Sequence, residues 1–169
     1  MGMTVRGPVV ADVSAMARVL VESWRETYRG LMPDDVLDDP SFVARRERFW
    51  SAALSDPRYS QNKIAVAELD GHLVGVGMSG PARDADATWD RQLYILYTYA
   101  AVHGLGVGAA LLDAVIEPTA SAALWVADPN PRAQAFYSKH GFAPDDGFQV
   151  DNGVREIRMV RPAQMAHGL

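Results

Sequence analysis

Gly104, Gly106 and Gly108 alternate within the run His103-Gly-Leu-Gly-Val-Gly, a spacing suited to holding an anion. Without side chains at those positions, backbone N–H groups can converge on phosphate oxygens. The preceding run, Gln92 to Tyr99, is aromatic and apolar, as expected of a buried strand. The following run, Ala109 to Ile116, favours a helix that Pro118 stops, and its positive dipole end would face the same anion. Strand, glycine turn and helix N-terminus together predict a cradle for a phosphorylated cofactor. Its backbone would come from His103, Gly104, Leu105, Gly106, Val107 and Gly108.

Two cofactor types fit poorly. A nucleotide-triphosphate loop needs Lys and then Ser or Thr after its last glycine, and here Ala109 and Ala110 follow Gly108. The dinucleotide pattern G-x-G-x-x-G/A is met by Gly104, Gly106 and Ala109, with Asp128 as an acid further on. That pattern normally opens a long βαβ series, whereas here it lies in the second half of the chain. A third pattern matches better. His103-x-x-Gly106-x-Gly108 follows Leu96-Tyr97-Thr98, and Asn130, Ala133, Phe136-Tyr137 and Gly141-Phe142 come after it in order. In these residues the chain resembles the GNAT family of acetyl-CoA-dependent N-acetyltransferases. It departs at His103, where the family carries Arg or Gln, and at Gln92, where many members carry Glu.

The resemblance implies transfer of an acetyl group from acetyl-CoA to an amine by direct attack in a ternary complex, with no metal. It implies that the glycine turn binds the pyrophosphate. Backbone groups of Leu96, Tyr97 and Thr98, freed where two strands part, would bind the pantetheine arm and polarise the acetyl carbonyl. It puts Tyr137 beside the cofactor sulfur as general acid; a phenol with a pKa of about 10 is protonated at neutral pH. From its position alone, Tyr137 could equally pack against Phe142 at a helix end. Asn130, before Pro131, suits a helix N-cap, and the resemblance adds a contact to the cofactor arm. Trp24 and Tyr28 would form a wall of the acceptor pocket, or else lie in a core stripe. An amide cannot act as base, so Gln92 leaves that role vacant; either Glu22, Glu26 or Asp90 acts through water, or the enzyme takes the small neutral fraction of its amine. A non-catalytic acyl-CoA sensor with the same cradle is the alternative reading.

The elements that must position these residues follow from periodicity. Thr4 to Val10 predicts a strand, and Asp12 an N-cap for a helix buried through Val13, Met16, Leu20, Trp24 and Tyr28. Gly30 and Pro33 break the chain before a second helix, capped by Ser41, with Phe42, Phe49, Trp50 and Ala53 inward. Ile64 to Leu69 and His72 to Met78 flank Asp70-Gly71, a hairpin signal. Gly75 and Gly77 within it point to close packing or a bulge. Ala122 to Ala127 reads as a strand, Pro131 opens a helix that Gly141 ends, and Phe148 to Val150 and Arg155 to Val160 flank a second turn, Asn152-Gly153. The expected fold is α/β: a mixed, twisted, GNAT-like sheet of about seven strands with helices on both faces, one domain over 1–169.

Composition narrows the partners. The net charge of −5 argues against a nucleic-acid surface. The lack of cysteine removes disulfides and thiolate chemistry, and His72, His103, His140 and His167 do not pair at metal-ligand spacing. With no run of about 18 apolar residues and no signal-peptide core, no membrane partner and a cytoplasmic location are expected. The acceptor is expected to be a small-molecule or peptide amine; Asp34, Asp35, Asp38 and Asp39 either form a solvated loop or draw a cationic acceptor towards the site. The resemblance allows a homodimer.

Overall fold

The computed structural model describes residues 2–164, so His167 lies outside the described residues. Its elements are β1 (Met3–Arg6), α1 (Val13–Tyr28), α2 (Asp34–Leu37), α3 (Phe42–Ser55), β2 (Lys63–Leu69), β3 (His72–Pro81), β4 (Arg91–Thr98), α4 (Val107–Val115), β5 (Ala122–Ala127), α5 (Pro131–Lys139), β6 (Ala143–Asp151) and β7 (Val154–Arg161). The strands form one seven-stranded sheet ordered β1-β2-β3-β4-β5-β7-β6. Among the described strands only the β4–β5 pair is parallel. No described helix is long and apolar enough to cross a membrane.

Strand alternation gives the sheet two different faces. Val66, Val76 and Met78 pack under α1 and α3 with Met16, Leu20 and Trp50. Ala65 and Ala67 lie on the opposite face with Leu111, Leu112 and Tyr137. Gly75 faces α4, and a Cβ there would meet Leu111 Cδ1 at 2.8 Å and Val107 Cγ1 at 3.2 Å. Both expectations for Gly75 are realised: it packs close against α4, and Val74 beside it is the extra residue of a bulge, since Ala67 pairs with Gly75 and Glu68 with Leu73. Small residues on this face let α4, which carries the glycine turn at its N-terminus, lie close to the sheet. Gly75→Val should overpack this contact at a cost of about 1–3 kcal/mol. Thermal melts should then fall by roughly 3–10 °C, and an unchanged melting temperature would show that α4 can move away freely.

Several local expectations are corrected. The first strand stops at Arg6, because Pro8 lacks an N–H, and Val10 to Asp12 form a short 3₁₀ turn instead. Asp12 stands at the start of α1 without capping it. Its carboxylate accepts two bonds from Arg6 and one from Val9 N. Ser41 does not cap α3 either; its hydroxyl donates to Asp39 Oδ1 at 2.8 Å. The helix after the glycine turn begins at Val107 rather than Ala109. Strand β6 starts at Ala143, well before Phe148, although Pro144-Asp-Asp-Gly147 reads as a turn. Pairing with β7 across a register shift overrides that local signal.

Arg158 explains the acidic connection before β4. It is 9% exposed and bonds Asp84, Asp86 and Asp145, with its guanidinium 4.9 Å from the ring centroid of Trp89 and 5.5 Å from that of Trp125. This cluster ties the connection to β6 and β7, and the hydrogen bond from Arg158 holds Asp86 below the usual carboxylate range.

Candidate active site

The glycine turn is built as the spacing predicts. Gly104 and Gly106 both have φ of +84°, the left-handed conformation that favours glycine. Nothing lies within 4 Å of a Cβ at either position, so the space over the turn is open. Gly106 is the N-cap residue of α4, and no side chain caps that helix. The amides of Val107, Gly108 and Ala109 therefore begin the helix with no acceptor in their own helix. This end of α4 can hold an anion through backbone groups alone.

Beside the turn, β4 separates from β5. Their pairing runs only from Arg91↔Ala122 to Leu93↔Leu124, although β4 continues to Thr98 and β5 to Ala127. A bulge supplies the physical cause. Ser79 pairs with Leu93 and Met78 with Ile95, so Tyr94 is the extra residue, directly after the last β4–β5 pair. Bulges bend a strand and increase its twist. Tyr94 is held in place by a hydrogen bond from its hydroxyl to Pro81 O and by Arg83 stacked 3.6 Å from its ring centroid.

The gap becomes a cavity of about 590 Å³. Its lining includes Leu96, Tyr97, Thr98, His103, Gly104, Gly106, Val107, Gly108, Asn130 and Tyr137, all expected from the sequence. Leu105 is instead half exposed, at 50%, and is not part of that lining. Of the three β4 residues, Thr98 has its carbonyl engaged by Ser23 Oγ at 3.1 Å, which joins α1 to the mouth of the gap. Asn130 caps α5, its Oδ1 accepting from Ala133 N at 3.3 Å. Its NH₂ group makes no hydrogen bond among the described residues and remains available to a ligand.

The cavity runs from the glycine turn to Tyr137, whose ring is buried against Phe136 and Phe142 with centroids 5.2 and 5.9 Å away. No described residue hydrogen-bonds its hydroxyl. Burial pushes this phenol well above its usual range, and Tyr97 adds to the shift. Tyr137 is thus a neutral proton donor set in an apolar wall. Packing against Phe142 and facing the cavity, the two readings left open by the sequence, coexist.

His103 is exposed. Partial burial of its ring lowers its pKa, and the nearby charge of Arg132 lowers it further, which favours the neutral imidazole. The positive charge at the turn belongs to Arg132, in the first turn of α5, which lines the cavity and has no ion pair among the described residues. The sequence analysis did not single out Arg132. Its one signal was its position just inside a helix opening with Asn130-Pro131, and only the tertiary fold turns it towards His103.

On the other side of β4, Tyr28 lines the cavity and Trp24 does not. Trp24 stands behind Tyr28, 5.4 Å away and edge-on, in a cluster with Phe42 and Tyr97. The two aromatics expected to form one wall therefore divide into a wall and its support. The acidic cluster is largely neutralised locally: Arg29 holds Asp34 and Asp38, and Arg45 holds Asp39. Gln92 is buried, with Oε1 accepting from Arg83 N at 3.0 Å, and lies before the strands part. The three carboxylates named as water-linked bases are placed elsewhere or engaged. Glu22 pairs with Arg25, Glu26 accepts from Ala100 N, and Asp90 adjoins Ser121 at the far end of β4. Among the described residues no group of three or more His, Asp or Glu could hold a metal ion.

These features can be set beside known proteins. The chain matches the acetyltransferase (GNAT) family over residues 17–142. It is 29% identical over 160 residues to the uncharacterized N-acetyltransferase YuaI of Bacillus subtilis, across 90% of this chain and 88% of that one. An uncharacterized N-acetyltransferase of Mycobacterium bovis is 37% identical over 116 residues, 63% of this chain and 62% of its own, so that match spans less than two thirds of the relative. Among solved structures, the PaiA N-acetyltransferase of Thermoplasma acidophilum in complex with coenzyme A aligns with a TM-score of 0.74 at 18% identity, over 96% of this chain and 99% of that one. A Corynebacterium glutamicum structure described as histone acetyltransferase HPA2 and related acetyltransferase aligns at 0.72 and 24% identity, over 99% and 100% of the two chains. At those identities the structural likeness speaks for the fold. The sequence match spans both the parted strands and the glycine turn, and the chain belongs to the acetyltransferase (GNAT) family.

Proposed function

We propose that this protein transfers an acetyl group from acetyl-CoA to a primary amine, small molecule or peptide, by direct attack in a ternary complex. One observation carries the reading: a single cavity joins an uncapped helix N-terminus, the freed edge of β4 and a buried neutral phenol. Acetyl-CoA, when bound, supplies an activated carbonyl and a thiolate leaving group. The amides opening α4, with Arg132 beside them, would hold its phosphates. Backbone groups of Leu96 and Tyr97 would orient the arm and polarise the carbonyl. Tyr137 would protonate the departing sulfur. Its raised pKa suits this role, because the same apolar wall also disfavours a thiolate.

Thermal denaturation tests the cofactor. Acetyl-CoA at 100 times its dissociation constant should stabilise the fold by about 2.7 kcal/mol, a rise of roughly 5–10 °C, while NAD should give none. A rise with NAD alone would end the acetyltransferase reading. A panel of primary amines should then accelerate release of coenzyme A above background hydrolysis. Binding without turnover against any amine would favour an acyl-CoA sensor instead.

A further inference from the structure

The site as described has a proton donor and lacks a proton acceptor. Glu156 lies beside the cavity, on the strand next to its lining and not in the lining itself. It lies on β7 opposite Ala127, the last residue of β5, and Ala127 lines the cavity beyond the point where β4 and β5 part. Its neighbours on the same face of the strand fix where it points. Val154 packs with Met32, Leu37 and Ala127, with Tyr28 and Trp24 against that cluster. Arg158 packs over Trp125, a lining residue. Glu156 stands between them, on the acceptor side of the sheet, and its charge acts on both Tyr28 and Tyr97.

Its partners matter as much as its place. Glu156 is half-buried, and its hydrogen bond comes from a neutral amide, Gln149 Nε2 at 2.8 Å on β6. The arginines on either side are engaged elsewhere, Arg155 with Asp128 and Arg158 with Asp84, Asp86 and Asp145. Among the described residues no cation pairs with this carboxylate. Each of the other candidate acids around the cleft is paired, capping or distant.

Resting on the acetyl-transfer reading above, we propose that Glu156 binds the ammonium group of the acceptor and serves as the base that deprotonates it. One N–H bond of the ammonium breaks and its proton passes to the carboxylate, then to solvent. The freed lone pair forms the C–N bond as the C–S bond breaks, and Tyr137 gives its proton to the sulfur. A second proton is lost from nitrogen as the C–S bond breaks and restores Tyr137 through water, and the third remains on the nitrogen of the amide product. Burial, with Asp151 nearby, raises the Glu156 carboxyl above its ordinary range, while the bond from Gln149 opposes that shift. The groups facing it are Gln149 and Asp151 from β6, Tyr28 from α1 and Tyr97 from β4. The shift strengthens it as a base and moves the rising limb of activity upward in pH.

Glu156→Gln tests the assignment, since a glutamine oxygen can still accept from Gln149. Coenzyme A affinity and melting temperature should stay near wild type, which separates this test from that of the cofactor cradle. Turnover with n-butylamine and other primary amines should fall by about 10²–10⁴-fold. The rising limb, at one pH for all acceptors in wild type, should move to each acceptor's own pKa. Glu156→Asp should recover part of the rate. Independently of turnover, carbon-13 NMR of the glutamate carboxyls should show one resonance, absent in Glu156→Gln, that titrates high and shifts when n-butylamine is added with coenzyme A bound. Turnover within threefold of wild type with an unchanged pH profile, or a Glu156 resonance indifferent to the amine, would overturn the proposal. A wild type that binds no coenzyme A would instead defeat the acetyl-transfer reading itself.

Discussion

Gly106→Glu is expected to remove coenzyme A binding while leaving a folded protein. The position has φ of +84°, which costs a residue with a Cβ about 1–2 kcal/mol. An added Cβ meets no protein atom within 4 Å, so backbone strain is the penalty the position itself imposes. The damage falls on the ligand, because the new carboxylate would occupy the open space over the amides that begin α4. Hydrogen bonds to a charged group contribute about 1.5–3 kcal/mol each. Losing two of them corresponds to roughly 10²–10⁴-fold in the dissociation constant. Calorimetric titration with coenzyme A, alongside a thermal melt, measures both quantities. Gly106→Asn, which tolerates the left-handed conformation and adds no charge, separates strain from repulsion. Unchanged affinity in Gly106→Glu would place the phosphates elsewhere.

Tyr137→Phe should lower the rate of acetyl transfer by about 10²–10⁴-fold with little change in acetyl-CoA affinity. The ring contacts with Phe136 and Phe142 remain in the variant, so the fold is preserved and only the hydroxyl is lost. Single-turnover measurements are required, because slow product release would hide part of the effect. Burial holds this phenol protonated beyond the ordinary tyrosine range, so wild type should show no falling limb from Tyr137 below about pH 10. Wild-type single-turnover rates in the phenylalanine variant would remove Tyr137 from the mechanism.

Much of the cradle was legible in the residues because its chemistry is local. Glycines at 104 and 106 are there for a backbone angle, and a positive φ is a property of a single residue. Asn130 before Pro131 is a helix start wherever it occurs, and Asp70-Gly71 and Asn152-Gly153 form tight turns with positive φ at all four residues. The caps assigned to Asp12 and Ser41 failed because better partners came from elsewhere in space or sequence. Arg6 offers Asp12 a two-bond ion pair, which outweighs a single bond to a helix amide.

By itself, the sequence determined the order of most elements, the glycine turn at the head of α4 and the Tyr137 motif, since each depends on residues close together in the chain. Tertiary structure alone decided where β4 leaves β5, because that depends on a bulge at Tyr94 set by the register of β3 against β4. It also decided which of Trp24 and Tyr28 reaches the cavity, because both lie on one helical stripe and their neighbours on β4 and α3 choose between them. Arg132 and Glu156 were invisible in the sequence for the same reason. A charged residue in a helix or an edge-proximal strand looks solvated until the fold shows what it faces and which partners it lacks.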